Sequence, residues 1–155
     1  MNELYRSGFV QRWHQNPELA HTGQTLGHHQ WGCAMLLAQL HPAPSTALLL
    51  ATLMHDVGEY ATGDMSYTSK MDHPELADAL GDVEEKEARR ITGHTFALSE
   101  TDKLWIKLVD RLESYMYVKI REPRLLEQPD WIECRDAVLR LARYLGVGDI
   151  VWGWV

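Results

Sequence analysis

Apolar residues recur every three or four positions through most of this chain, whereas alternating runs bounded by turn residues are scarce. Such a chain buries stripes along helices and has no two-residue pattern from which to build a sheet, so the expected fold class is all-α. The pattern divides into about six helices, Glu3 to His14, Thr25 to Leu40, Ser45 to Asp56, Pro74 to Thr92, Ser99 to Arg121 and Pro129 to Leu145. Breakers agree with these cuts. Pro42 and Pro44 separate the second helix from the third, Gly58 and Gly63 interrupt the stretch after the third, and Gly146 with Gly148 closes the sixth. Ser99 followed by Asp102 reads as an N-terminal cap. Two long loops remain, Asn16 to Gly23 and Gly58 to His73, and loops of that length in compact domains are often functional.

The 155 residues suit one domain, 1–155, with a single core, and 45% apolar with 24% charged residues is the balance of a globular protein. A net charge of -7 argues against a groove for a nucleic-acid polymer, which needs many cations against phosphates. A small anionic substrate is still compatible, because one metal ion and one or two placed cations can overcome an acidic background locally. Cys33 and Cys134 show neither zinc-site spacing nor disulfide density and read as buried thiols. No signal-peptide core lies between Met1 and Arg12, and the longest nearly apolar run, Ala47 to Met54, is short of the ~20 residues of a membrane span. A cytoplasmic location is expected. The apolar C-terminal end, Ile150 to Val155, is expected to pack.

Of eight histidines, His14, His21, His41, His73 and His94 fall near expected helix ends or in polar loops, where surface imidazoles are ordinary. His29 shares a helical stripe with Cys33, Leu36 and Leu40 and should point inward. His55 follows Ala51 and Leu48 by one and two turns, with Asp56 next to it, and Asp110 sits among Ile106, Val109 and Leu112. A buried carboxylate needs a partner. Two arrangements satisfy these groups: convergence of His29, His55, Asp56 and Asp110 on a divalent cation, or a core polar network in which His55 bonds Asp110. A mixed nitrogen and oxygen set suits Zn, Co, Mn, Ni or Fe better than Ca or Mg. Glu59 and Asp64 flank this region and can serve proton transfer or be solvated loop acids. Arg12, Trp13 and Lys70 offer cations for phosphate and an aromatic wall, although a helical Arg-Trp pair is more often a snorkelling charge beside a core anchor.

Together, His29, His55-Asp56 and Asp110 in Val-Asp-Arg-Leu-Glu resemble the H…HD…D signature of HD-domain phosphohydrolases. The run His55-Asp56-Val57-Gly58-Glu59-Tyr60-Ala61-Thr62-Gly63-Asp64, with Arg12-Trp13 upstream and Lys70 downstream, is similar to the bacterial 5'-deoxynucleotidases and related phage enzymes. The resemblance runs from about Phe9 to Tyr117. It implies an HD-type helical bundle in which His29, His55, Asp56 and Asp110 hold a divalent transition metal and a metal-bound water attacks phosphorus. Glu59 is then the acid/base, Asp64 assists near the attacking or leaving oxygen, Arg12 and Lys70 hold phosphate, and Trp13 packs on the deoxyribose so that a 2'-hydroxyl is excluded. The implied substrates are deoxynucleoside monophosphates losing phosphate, or triphosphates such as dATP losing triphosphate in the phage manner, the latter with a second ion such as Mg. For a phage enzyme the location is the host cytoplasm.

Two departures stand out. Where the family often has Glu-His-Ser this chain has His28-His29-Gln30; the register to Trp31 and Ala34 selects His29, with His28 as the alternative. Met65-Ser66-Tyr67 replaces a common proline after Gly-Asp, which bears on the loop and on where Lys70 stands. Cyclic-dinucleotide phosphodiesterases carry a Gly-Tyr-Pro element absent here, and Tyr60 takes the place of the final acid of the alarmone hydrolases. A non-catalytic metal- or nucleotide-binding module is the alternative from another class. Similar family members self-associate, so a homo-oligomer, dimer or larger, is expected, with Trp152 and Trp154 as interface candidates.

Overall fold

The computed structural model describes residues 2–155. In chain order its helices are α1 (Glu3–Ser7), α2 (Leu26–Leu40), α3 (Thr46–Met54), α4 (Glu59–Thr62), α5 (Tyr67–Asp72), α6 (Pro74–Thr92), α7 (Glu100–Arg121), α8 (Pro129–Tyr144) and α9 (Gly148–Trp152), with 3-10 turns at Ala20–Thr22 and Pro123–Glu127. No strand occurs among the described residues, and one isolated antiparallel bridge pairs Gln11 with Thr25. The fold is all-α, compatible with an HD-type bundle. Among the described residues no helix is long and apolar enough to cross a membrane. The chain divides into two compact units, Met1–Gln30 with Met54–Phe96, and Trp31–Leu53 with Ala97–Val155.

In the first unit α1 ends at Ser7, seven residues before the expected His14. The reason is backbone pairing. The Gly27 N–H donates to the Gly8 carbonyl at 3.0 Å, Leu26 to Val10 at 2.9 Å and Arg12 to Gln24 at 2.9 Å, so the Gly8 and Val10 carbonyls and the Arg12 N–H are spent on residues 24–27 instead of on a helix. A Cβ on Gly27 would stand 3.0 Å from the Gly8 oxygen, so these backbones approach this closely only without a side chain there. The amphipathic α6 returns to the start of the chain through Arg90, whose guanidinium lies 2.7 Å from Glu3.

The expected third helix also stops early, at Met54, which leaves His55 and Asp56 in the turn that follows. The next stretch, expected as loop, holds α4 and α5. Gly58 lies against α6: a Cβ there would be 2.1 Å from the Glu84 carbonyl oxygen and 2.6 Å from its carbon. Backbone cannot rotate away as a side-chain tip can. Gly58→Ala is therefore expected to destabilise the protein by about 2–3 kcal/mol, read from urea unfolding. Gly81→Ala on α6, where a Cβ meets nothing within 4 Å, should instead be neutral or stabilising by up to about 1 kcal/mol. Equal effects at the two sites would overturn this account.

The second unit carries the large apolar cluster. Leu37 and Leu40 of α2, Leu48 of α3, Trp105, Leu108, Val109 and Leu112 of α7, Val138 and Ala142 of α8 and Val151 of α9 are all buried in it. Ser99 and Asp102 form the expected N-terminal cap, here a reciprocal capping box that satisfies two N-terminal donors of α7. Trp154 and Val155 pack on the cluster and Lys119 donates to the Trp154 carbonyl at 2.8 Å, so the C-terminal end packs as expected, while Trp152 is exposed. Cys33 is buried, with its thiol 3.6 Å from the Val109 carbonyl. Cys134, expected to be buried, is only half-buried, and burial still pushes its thiol up to about 11, which makes it a poor nucleophile.

Candidate active site

His29 stands in the first turn of α2, where its N–H donates to the Thr25 carbonyl, and its side chain is fully buried. His28, one residue earlier, is exposed. His55 and Asp56 occupy the turn after α3, held by bonds from the Val57 N–H to Met54 and from the Glu59 N–H to Asp56, with Val57 buried beneath. One Asp56 oxygen, Oδ2, lies 3.5 Å from His29 Nε2 and 3.1 Å from His55 Nε2. The two imidazoles are 5.2 Å apart between centroids.

These spacings fit a metal. Donors about 2.0–2.2 Å from a common cation are separated by roughly 2.8–3.6 Å along the edges of an octahedron or tetrahedron, and two nitrogens face one carboxylate oxygen here at such distances. Burial opposes ionisation of Asp56, but His55, by charge and hydrogen bond, and then His29 and Arg12 outweigh it and hold the carboxyl well below the usual range. The group is thus in the form that a metal ligand requires. Asp110, the remaining ligand expected from sequence, lies half-buried on α7 in the second unit.

Glu59 opens α4 and is buried, 7% exposed. Its Oε2 has no hydrogen-bond partner among the described residues, and its Oε1 lies 3.8 Å from Lys70 Nζ. Burial, and then the Asp56 and Asp64 carboxylates, push its carboxyl up to about 9 against the opposing pull of Lys70. The reading of Glu59 as a solvated loop acid is thereby corrected: the glycines on either side fold it inward on a one-turn helix. Lys70, on α5, stands between Glu59 and Glu84, 3.7 Å from the Glu84 carboxylate, which also accepts from the Thr62 hydroxyl at 3.1 Å.

Arg12 ends the paired segment, Trp13 follows it, and neither belongs to a helix, so the reading of a helical snorkelling charge beside a core anchor does not apply. Trp13 adopts a left-handed backbone, φ 64, which costs a non-glycine residue about 1 kcal/mol or more. Asp64 holds it there by accepting the Trp13 N–H at 2.8 Å, and its other oxygen is 3.9 Å from Arg12 Nε. The Arg12 guanidinium, buried, lies over the indole of Trp13 at 4.7 Å. Gln24 Oε1 accepts from both, from Trp13 Nε1 at 2.6 Å and from Arg12 Nη1 at 3.2 Å.

The first unit therefore gathers Arg12, Trp13, His29, His55, Asp56, Glu59, Asp64 and Lys70. Sequence reasoning missed Gln24 and Glu84. Gln24 stands 12 residues from its partner Arg12 and matches no motif, and Glu84 is one of many charges on α6. Of the background histidines, His14, His21, His73 and His94 are exposed, and His41 rests half-buried, edge-on to Trp105 at 4.9 Å.

A family model described as 5'-deoxynucleotidase YfbR-like matches residues 1–100. No curated protein and no solved structure matches the chain. The matched span is 100 of 155 residues and holds every site residue above, Asp110 lying beyond it. The chain belongs to the 5'-deoxynucleotidase YfbR-like family of HD-domain phosphohydrolases.

Proposed function

We propose that this protein is a metal-dependent phosphohydrolase that cleaves 2'-deoxynucleotides at a phosphate ester or anhydride bond. The observation that carries the reading is Glu59, a buried carboxyl with an unbonded oxygen that feels the charge of Asp56, whose carboxylate stands at metal-ligand spacing from two imidazoles. A structural metal site closes its coordination and has no use for a buried proton carrier beside it.

His29, His55 and Asp56 would hold the cation, with Asp110 the fourth donor on the H…HD…D spacing. When bound, a transition metal of the Zn, Co, Mn, Ni or Fe group supplies Lewis acidity at phosphorus and acidifies water. The chain's own residues do the rest. Arg12 and Lys70 offer positive charge to phosphate oxygens, and the Trp13 ring offers a flat wall to the sugar. Asp64 holds the backbone that presents both Arg12 and Trp13. Its bond to the Trp13 N–H favours this positioning part over direct proton transfer. As water oxygen bonds to phosphorus and the bond to the leaving oxygen breaks, the proton on Glu59 passes to that oxygen, and the proton that water sheds restores the carboxyl.

The test is incubation of Co- or Mn-loaded protein with deoxy- and ribonucleoside mono- and triphosphates, the latter also with Mg, and chromatography of the products. Phosphate from deoxynucleoside monophosphates, with ribonucleotides spared, is the expected result. Triphosphate released from dATP would place the activity with the phage-type enzymes instead. No turnover of any would leave a non-catalytic binding module. Light scattering on the same sample reads the expected self-association, for which exposed Trp152 and Ile150 are the surface candidates.

A further inference from the structure

We infer that Gln24 is a positioning residue that fixes Arg12 and Trp13 as one rigid phosphate-and-sugar platform and so sets discrimination between deoxyribo- and ribonucleotides. The inference rests on the proposed reading that Arg12 and Trp13 meet the substrate. Gln24 is 1% exposed. Its single side-chain oxygen accepts from two consecutive residues, the indole N–H at 2.6 Å and the guanidinium at 3.2 Å. Its backbone carbonyl accepts the Arg12 N–H at 2.9 Å, and the Gln11–Thr25 bridge lies beside it. The stacked guanidinium and indole are therefore tied edge-on to one buried amide, while Asp64 fixes the backbone between them from another side.

This arrangement suits selectivity. A wall that rejects one extra hydroxyl must not yield, because a ring free to tilt by an ångström makes room for the oxygen it should exclude. Trp13 has a strained backbone and needs outside restraint. Gln24 is neutral, so it orients Arg12 without neutralising the charge that would face phosphate.

The experiment compares wild type, Gln24→Met, Gln24→Glu and Trp13→Ala in the metal-loaded protein, reading the deoxy-to-ribo ratio of kcat/KM and the Trp13 indole N–H resonance. Loss of two buried hydrogen bonds in Gln24→Met is expected to lower the ratio about 10-fold, mostly through KM, and to move the indole proton upfield. Gln24→Glu, which keeps an acceptor oxygen, should restore both. An altered ratio in Trp13→Ala with a wild-type ratio and an unmoved indole proton in Gln24→Met would overturn the inference while leaving Trp13 as the sugar contact. An unchanged ratio in Trp13→Ala would sink that contact itself, and with it the role of Gln24 in selectivity.

Discussion

Replacing Glu59 with glutamine is expected to lower kcat by about 10²–10⁴-fold while leaving the metal content of the purified protein unchanged. The amide keeps the shape of the carboxyl but has no proton to give the leaving oxygen and cannot accept one from water. Retention of more than a tenth of the activity would remove Glu59 from the chemistry. The same variant has a second signature in metal-free protein. Because the folded carboxyl sits near 9 against an ordinary 4.5, its stabilising contribution is fully present below about pH 4.5 and is lost as pH rises through 9. Glu59→Gln escapes that loss, so its Tm relative to wild type should rise steadily from pH 5 to pH 8.5. A difference that does not vary with pH would show that the wild-type carboxyl is already ionised.

Replacing His55 with alanine should abolish activity by removing the metal. Loss of groups that merely orient ligands costs ~10–100-fold in metal affinity, so loss of a donor nitrogen should cost more than 100-fold. In free metal at 100 times its Kd, wild type gains roughly 3 kcal/mol of stability, and a variant 100-fold weaker gains only about 0.4 kcal/mol. A chelator should thus lower the Tm of loaded wild type by several degrees and leave His55→Ala almost unmoved. His29→Ala should show the same metal defect with an additional loss of stability, because His29 is fully buried and His55 keeps some exposure. If wild-type Tm ignores both metal and chelator, the two imidazoles and Asp56 form a core polar network and nothing more.

Legibility in the sequence followed length and periodicity. The 22-residue α7 carries a sustained apolar stripe and an explicit cap, and its limits were readable to within a residue. The inward stripe of α2 likewise marked His29 as buried and left His28 outside. Failures came where backbone contacts override local preference. Nothing in Glu3 to His14 announces that residues 8–12 pair with residues 24–27, because the pairing is a tertiary contact in which Gly27 closes on the Gly8 backbone 19 positions away. The four-residue α4 and six-residue α5 are too short to show a period, so the loop reading swallowed them and with them the burial of Glu59. Gln24 and Glu84 act through tertiary neighbours alone, and a single sequence does not distinguish such a glutamine or glutamate from a surface one.

The contact of Gly58 with α6 bears on how substitutions along this chain should be weighed. Position 58 has no part in the proposed binding of phosphate or cation, yet any side chain there must push the α6 backbone beside Glu59. A map of tolerated substitutions will therefore rank it beside the histidines proposed as ligands. On the proposed reading, intolerance inside the His-Asp run has two sources, ligation at His55 and Asp56 and crowding at Gly58, and only the first is relieved by supplying excess metal.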